Sequence, residues 1–159
     1  MGEVRTRPAQ VSDAPQIGLV GYAAWARGIG VHVGPEAHER MGPETFESFA
    51  RANAGQIVVA AKNDTILGFA ATEHGDNYIS DLWVSPDFEG RGVGTKLMSV
   101  LEATIAARGY DTVEVEVLTK NRRALSLYRH LGYQIVWQET REDALLLVPL
   151  HKTLLRKDV

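Results

Sequence analysis

The stretch richest in chemical possibility runs Val84-Ser85-Pro86-Asp87-Phe88-Glu89-Gly90-Arg91-Gly92-Val93-Gly94-Thr95-Lys96. Gly90, Gly92 and Gly94 alternate where a strand pattern gives way to a long helical one. Glycine lets a backbone bend sharply and approach a ligand closely. A helix N-terminus adds free N–H groups and about half a positive charge. Together these features suit a pyrophosphate. A Walker loop is excluded, because it needs Gly-Lys-Ser/Thr and Lys96 follows Thr95. The dinucleotide fingerprint is excluded as well: it needs Gly-x-Gly-x-x-Gly, and the following strand ends at Leu118-Thr119-Lys120 with no acidic residue for a ribose.

A second constellation follows. Asn121, Ala124 and Tyr128 fall at i, i+3 and i+7, on one helix face. Gly132-Tyr133 closes that helix and opens the next strand. Two carboxylates complete the set. Glu116 alternates with Val113, Val115 and Val117, so it lies on the face opposite the valines. It is either a solvated strand end or a base in a cleft. Asp81 is either a hydrogen-bonded strand residue or a site for a cation.

The elements that must position these groups read as follows. Val4–Arg7 is a short strand stopped by Pro8. Asp13–Arg27 is a helix capped by Ser12 or Asp13, with Ile17, Leu19, Val20 and Ala24 as its apolar stripe. Glycines then break the pattern until a second helix, Pro43–Asn53, carrying Phe46 and Phe49 on one face. Ile57–Ala61 and Ile66–Thr72 form a hairpin turned at Asn63-Asp64. Tyr78–Val84 is the next strand. Gly92–Arg108 is the longest helix, with Val93, Leu97, Val100, Leu101 and Ile105 facing inward and Gly109 stopping it. Asp111–Leu118 is a strand and Asn121–Leu131 a helix. Tyr133–Trp137 and Ala144–Leu150 are the last strands, joined by Gln138–Asp143. The strand–helix–strand unit across Tyr78–Leu118 requires a parallel pair with a right-handed crossover. The expected fold is a single α/β domain over residues 1–159. Its sheet is mixed and mostly antiparallel with one parallel pair, and helices cover both faces.

Composition narrows the functions. A chain of 159 residues, 45% hydrophobic and 23% charged, has the makeup of one soluble globular domain. A net charge of −3 without a polybasic block argues against nucleic acid or an anionic membrane as partner. The absence of cysteine removes disulfides, thiolate nucleophiles and Cys-based zinc sites. The five histidines lack metal-ligand spacing, so no metal is expected. Neither an apolar leader nor a membrane-length run appears, and a cytoplasmic location is expected. Met1-Gly2 and Asn63-Asp64-Thr65 match acylation and glycosylation patterns, and are read as the start of a strand and a hairpin turn.

The two constellations together resemble the GNAT superfamily of N-acetyltransferases. That family's loop, Arg/Gln-x-x-Gly-x-Gly/Ala, is met by Glu89-Gly90-Arg91-Gly92-Val93-Gly94, with Glu where Arg or Gln is usual. Its second pattern is met by Asn121, Ala124, Tyr128, Gly132 and Tyr133. The resemblance implies acetyl-CoA, with its pyrophosphate on the amides of Arg91, Gly92, Val93, Gly94 and Thr95. The pantetheine would lie along Leu82, Trp83 and Val84, with Asn121 and Ala124 beside it. Tyr128 would protonate the leaving thiolate, and a backbone N–H near Val84 would polarise the carbonyl. A sheet splayed between the Tyr78–Val84 and Asp111–Leu118 strands would admit Glu116 as base. In some polyamine and diamine relatives Glu-Asp occupies the positions of Ser80-Asp81, so only Asp81 carries over.

The acceptor implied first is the primary amine of a small molecule, which would attack the thioester directly in a ternary complex. A protein N-terminus or lysine comes second, since Arg141-Glu142-Asp143-Ala144 looks similar to N-terminal acetyltransferases. A non-catalytic acyl-CoA sensor is the rival of another class. Trp25, His32, Glu36 and His38 are candidates for an amine pocket. Leu145–Leu150 is a candidate strand for a homodimer.

Overall fold

The computed structural model describes residues 2–159, so the Met1 of the acylation pattern lies outside the described residues. Eight strands and five α-helices appear among them. In chain order these are β1 (Val4–Pro8), α1 (Ala14–Gly28), α2 (Pro35–Glu39), α3 (Pro43–Asn53), β2 (Ile57–Lys62), β3 (Thr65–Ala71), β4 (Tyr78–Ile79), β5 (Asp81–Val84), α4 (Val93–Ala107), β6 (Thr112–Leu118), α5 (Arg122–His130), β7 (Gln134–Glu142) and β8 (Pro149–Asp158). One sheet has the order β1-β2-β3-β5 and the other β4-β6-β8-β7. All pairings are antiparallel except β4 with β6, which joins Tyr78 to Glu114 and Ile79 to Val115. The expected mixed sheet and its single parallel pair are present, and α4 supplies the crossover.

Two apolar clusters pack the two sides. Val113, Val115 and Val117 meet Leu97, Met98, Leu101 and Ile105 of α4 in the first. Each fully buried side chain of this size stabilises the fold by about 1.5–3 kcal/mol. The second joins α1 and α3 to Val59, Phe69 and Trp83. Here α1 comes so close to α3 that a Cβ on Gly21 would lie 2.5 Å from the Phe46 ring. Leu19 therefore does not belong to the inner stripe: it is 64% exposed, and Gly18, Gly21 and Trp25 face inward instead.

The C-terminal elements differ from the sequence reading. The polar stretch Gln138–Glu142 is strand, and the apolar stretch 144–148 is the turn. Asp143 builds that turn: its Oδ1 accepts from the N–H groups of Leu145 (2.9 Å) and Leu146 (2.8 Å), and Leu147 adopts φ 57°. Leu146 and Leu150 are buried, while Leu145 and Leu147 project outward. The dimer strand proposed for Leu145–Leu150 is thus mostly a turn. The last strand runs on to Asp158 and buries Thr153 and Leu155. The connection after α1 also contains the short helix α2, which the glycines and Pro35 had concealed.

Asp13 does not cap α1 with its side chain. It accepts two hydrogen bonds from Arg7 (2.8 and 2.9 Å) and one from the Gln10 N–H, tying β1 to α1. The Arg7 hydrogen bond holds the Asp13 carboxyl below its ordinary range, against the opposing effect of burial. Such a group contributes stability above its unfolded-state pKa and loses it as pH falls through the folded one. Asp13→Asn should cost about 2 kcal/mol in urea unfolding near neutrality. The difference from wild type should close in strong acid, where Asp13 is itself protonated.

Candidate functional site

The site begins where one chain segment changes partners. Tyr78 and Ile79 pair with β6, but from Asp81 to Val84 the chain pairs with β3. Ser80 makes the break. Its N–H and Oγ both donate to the Ala71 carbonyl, at 3.0 and 3.2 Å, and its Oγ accepts from the Glu73 N–H at 2.9 Å. The edge of β5 towards β6 is left without a strand partner among the described residues. Leu82 and Val84 pack on the α4 side, and Trp83 packs against Phe46 on the other. The side chains of β5 thus reach both apolar clusters.

On the α4 side lies a cleft of about 960 Å³, lined by Leu82, Val84, Gly92, Gly94, Asn121 and Tyr128 among others. Gly92 stands at φ 82° immediately before α4, and no atom lies within 4 Å of where its Cβ would be. The first amides of α4 have no acceptor within the helix. A bare backbone, open space and a helix N-terminus fit a pyrophosphate. Trp83, Val93, Thr95 and Ala124 also line the cleft. Arg91 does not; its guanidinium lies 5.2 Å over the Phe88 ring.

Asn121 caps α5, its Oδ1 accepting from the Ala124 N–H at 3.4 Å. A Cβ on Gly28 would come within 2.7 Å of its Nδ2, so α1 fits the amide closely. Glu89 faces neither solvent nor an empty cradle. Its carboxylate is ion-paired with Arg27 of α1 (3.3 Å) and with Arg123 of α5, and its Oε2 is buried without a hydrogen-bond partner.

Tyr128 is 4% exposed, edge-on to Tyr133 at 5.9 Å. Burial, reinforced by the charge of Asp81, pushes its pKa well above that of a free phenol. It therefore keeps its proton through the physiological range and has a hydrogen to donate. Across the opening, Glu116 accepts a hydrogen bond from the Tyr78 hydroxyl at 3.3 Å. Burial and the Glu116 charge raise the Tyr78 pKa too. Asp81 accepts from the Trp83 Nε1–H at 3.0 Å. Burial raises the Asp81 pKa despite the hydrogen bonds from Trp83 and Ser80. Tyr78 thus joins Asp81, Glu116 and Tyr128 around one opening. Its place two residues before Ser80 and three before Asp81 was the available signal.

The acceptor-pocket candidates divide. Trp25 is core, stacked on Tyr22. Glu36 is exposed on α2. His38 bonds the Gly30 carbonyl at 2.8 Å and meets the Trp25 edge, while His32 lines the cleft.

The acetyltransferase (GNAT) family model matches residues 22–133, from α1 past Tyr128. The chain belongs to the GNAT acetyltransferase family. This GNAT chain is 28% identical over 134 residues to a mycothiol acetyltransferase of Propionibacterium freudenreichii, covering 78% of the chain and 41% of that protein. Over 57 residues it is 33% identical to the thialysine N-ε-acetyltransferase of Bos taurus, covering 36% of the chain and 34% of that protein. It therefore spans less than half the length of these curated relatives. The PaiA N-acetyltransferase of Thermoplasma acidophilum, crystallised with coenzyme A, shares its fold with a TM-score of 0.79 over 99% of each chain at 15% identity.

Asp81 supplies a test of opposite sign to Asp13. Its folded pKa is raised, so the charged form is disfavoured and its cost appears as pH rises through that pKa. Asp81→Asn, which retains an acceptor for Trp83, should raise stability near neutrality by about 1 kcal/mol, the usual scale of one substitution. In acid, where Asp81 is protonated, the two proteins should unfold alike.

Proposed function

We propose that this chain acts in the cytoplasm as a single acetyltransferase domain that moves an acetyl group from acetyl-CoA to the primary amine of a small molecule. The observation that carries the reading is the convergence on one cleft of the α4 N-terminus, the open edge of β5 and the buried Tyr128. The small-molecule acceptor draws support from the names of the two relatives, mycothiol and thialysine acetyltransferases.

When bound, acetyl-CoA supplies an acetyl group activated as a thioester. The amides of Gly92–Thr95 hold the pyrophosphate at the positive end of α4. The open edge of Leu82–Val84 takes the pantetheine as an added strand. Asn121 has its Oδ1 occupied by the α5 cap, which leaves Nδ2 to donate. The amine is the nucleophile, since the chain has no cysteine to carry an acyl group. An alkyl amine has a pKa of about 10.4 and must shed a proton before attack. Glu116 accepts that proton, directly or through water, and Asp81 attracts the ammonium form to the opening. A backbone N–H near Val84 steadies the charge that develops on the carbonyl oxygen. As the C–N bond formed and the C–S bond broke, Tyr128 would give its proton to the departing sulfur, the nitrogen would shed its second proton to water, and Tyr128 would be reprotonated from solvent.

The first measurement is calorimetric titration with acetyl-CoA and desulfo-CoA, followed by thiol release with panels of small amines and of N-terminal peptides. Micromolar binding and turnover of small amines support the proposal. Turnover of peptides alone would move the acceptor to protein, and tight binding without any turnover would leave an acyl-CoA sensor. Tyr128→Phe should lower kcat about a hundredfold while CoA affinity is kept. Glu116→Gln should lower the rate most near neutrality and recover part of it as rising pH deprotonates the amine. An unchanged kcat in Tyr128→Phe would remove the assigned acid.

A further inference from the structure

We propose that Glu89 is an intramolecular competitor for the phosphates of the cofactor, holding Arg27 and Arg123 until a phosphate replaces its carboxylate. This rests on the reading of the cleft as a coenzyme A site. Three observations carry it. Arg27, Glu89 and Arg123 all line the cleft. The Glu89 side chain is 20% exposed and takes both guanidiniums, while those of Arg27 and Arg123 are 50% and 65% exposed. The three residues come from three separate elements: the end of α1, the loop before α4 and the first turn of α5.

A carboxylate is a poor lining for an anion cradle unless it is neutralised. Here it is more than neutralised, since two guanidiniums meet one carboxylate and leave a net positive charge beside the cradle. The pairs are weak enough to exchange. The two guanidiniums are half or more exposed, so water and an incoming anion can reach them, and Glu89 Oε2 is buried without a hydrogen-bond partner to hold it in place. A phosphate offers Arg a second acceptor of equal geometry and greater charge. The guanidiniums can thus swing from carboxylate to phosphate, and the carboxylate then faces solvent. The Glu89 bridge also ties α1 to α5 across the cleft. Its exchange would free the end of α1, which carries Gly28 against Asn121, when the cofactor enters.

The test compares wild type with Glu89→Gln, which keeps the shape and the acceptor oxygen but removes the charge. Calorimetric Kd values would be measured for CoA and for pantetheine, which lacks the phosphates, at low and high salt. The expected result is CoA binding about fivefold tighter in Glu89→Gln, the scale of one exposed charge interaction. The gain should shrink with salt, and pantetheine affinity should not change. Arg123→Gln should weaken CoA more in the Glu89→Gln background than in wild type, because in wild type that arginine is partly occupied. Equal or weaker CoA binding in Glu89→Gln, or an equal gain for pantetheine, overturns the competition. Failure of both proteins to bind CoA at any salt overturns the cofactor reading, and this inference with it.

Discussion

A β-strand can hydrogen-bond a neighbour along each edge, and at Ser80 the chain gives up one neighbour. Before it, Tyr78 and Ile79 are held by β6; beyond it, Asp81–Val84 is held by β3 alone. The bond from Ser80 N–H to the Ala71 carbonyl marks the point where the chain joins β3. The unsatisfied edge would be costly if buried, because unpaired backbone groups lose their hydration without compensation. Opening it onto a cleft removes that cost and supplies a row of donors and acceptors for an extended ligand. The start of α4 and Tyr128 line the same cleft as that edge.

Much of this was legible in the sequence, where local rules decide the outcome. Val113, Val115 and Val117 announce β6 by alternation, and Gly92 announces the turn into α4 because its φ of 82° excludes most other residues. The reading failed where a non-local partner decides. β8 carries Lys152, Arg156, Lys157 and Asp158, and this charge hid a strand whose alternate residues Thr153 and Leu155 are fully buried. β7 shows little alternation because it is an edge strand with nearly every side chain exposed. Conversely, Leu145-Leu146-Leu147 looks like strand, but Asp143 can bond two amides locally and bends the run into a turn. Glu89 could not be placed either, since its partners lie far away along the chain in α1 and α5.

The ionisable groups show how environment separates like residues. Asp13 and Asp81 are both carboxylates near sheet edges, yet a bidentate arginine lowers one and burial raises the other. Stability serves the first and opposes the second. A carboxylate kept at a cost, beside a tyrosine and a second acid, is the pattern expected of a site whose demands differ from those of the fold.

The opening also separates the reactants in space. Leu82, Val84 and Tyr128 belong to the cluster beneath α4 and α5, whereas Trp83 belongs to the cluster beneath α1 and α3. Strand alternation puts Asp81 with Trp83, and Glu116 opposite the valines that face α4. Tyr128 and the pair Asp81 and Glu116 thus lie towards opposite faces of the strands that part at Ser80. Under the proposed function, a cofactor entering from one side and an amine from the other would meet head-on in that gap. Such a geometry would favour transfer in a single displacement, because both reactants would be held together in one gap.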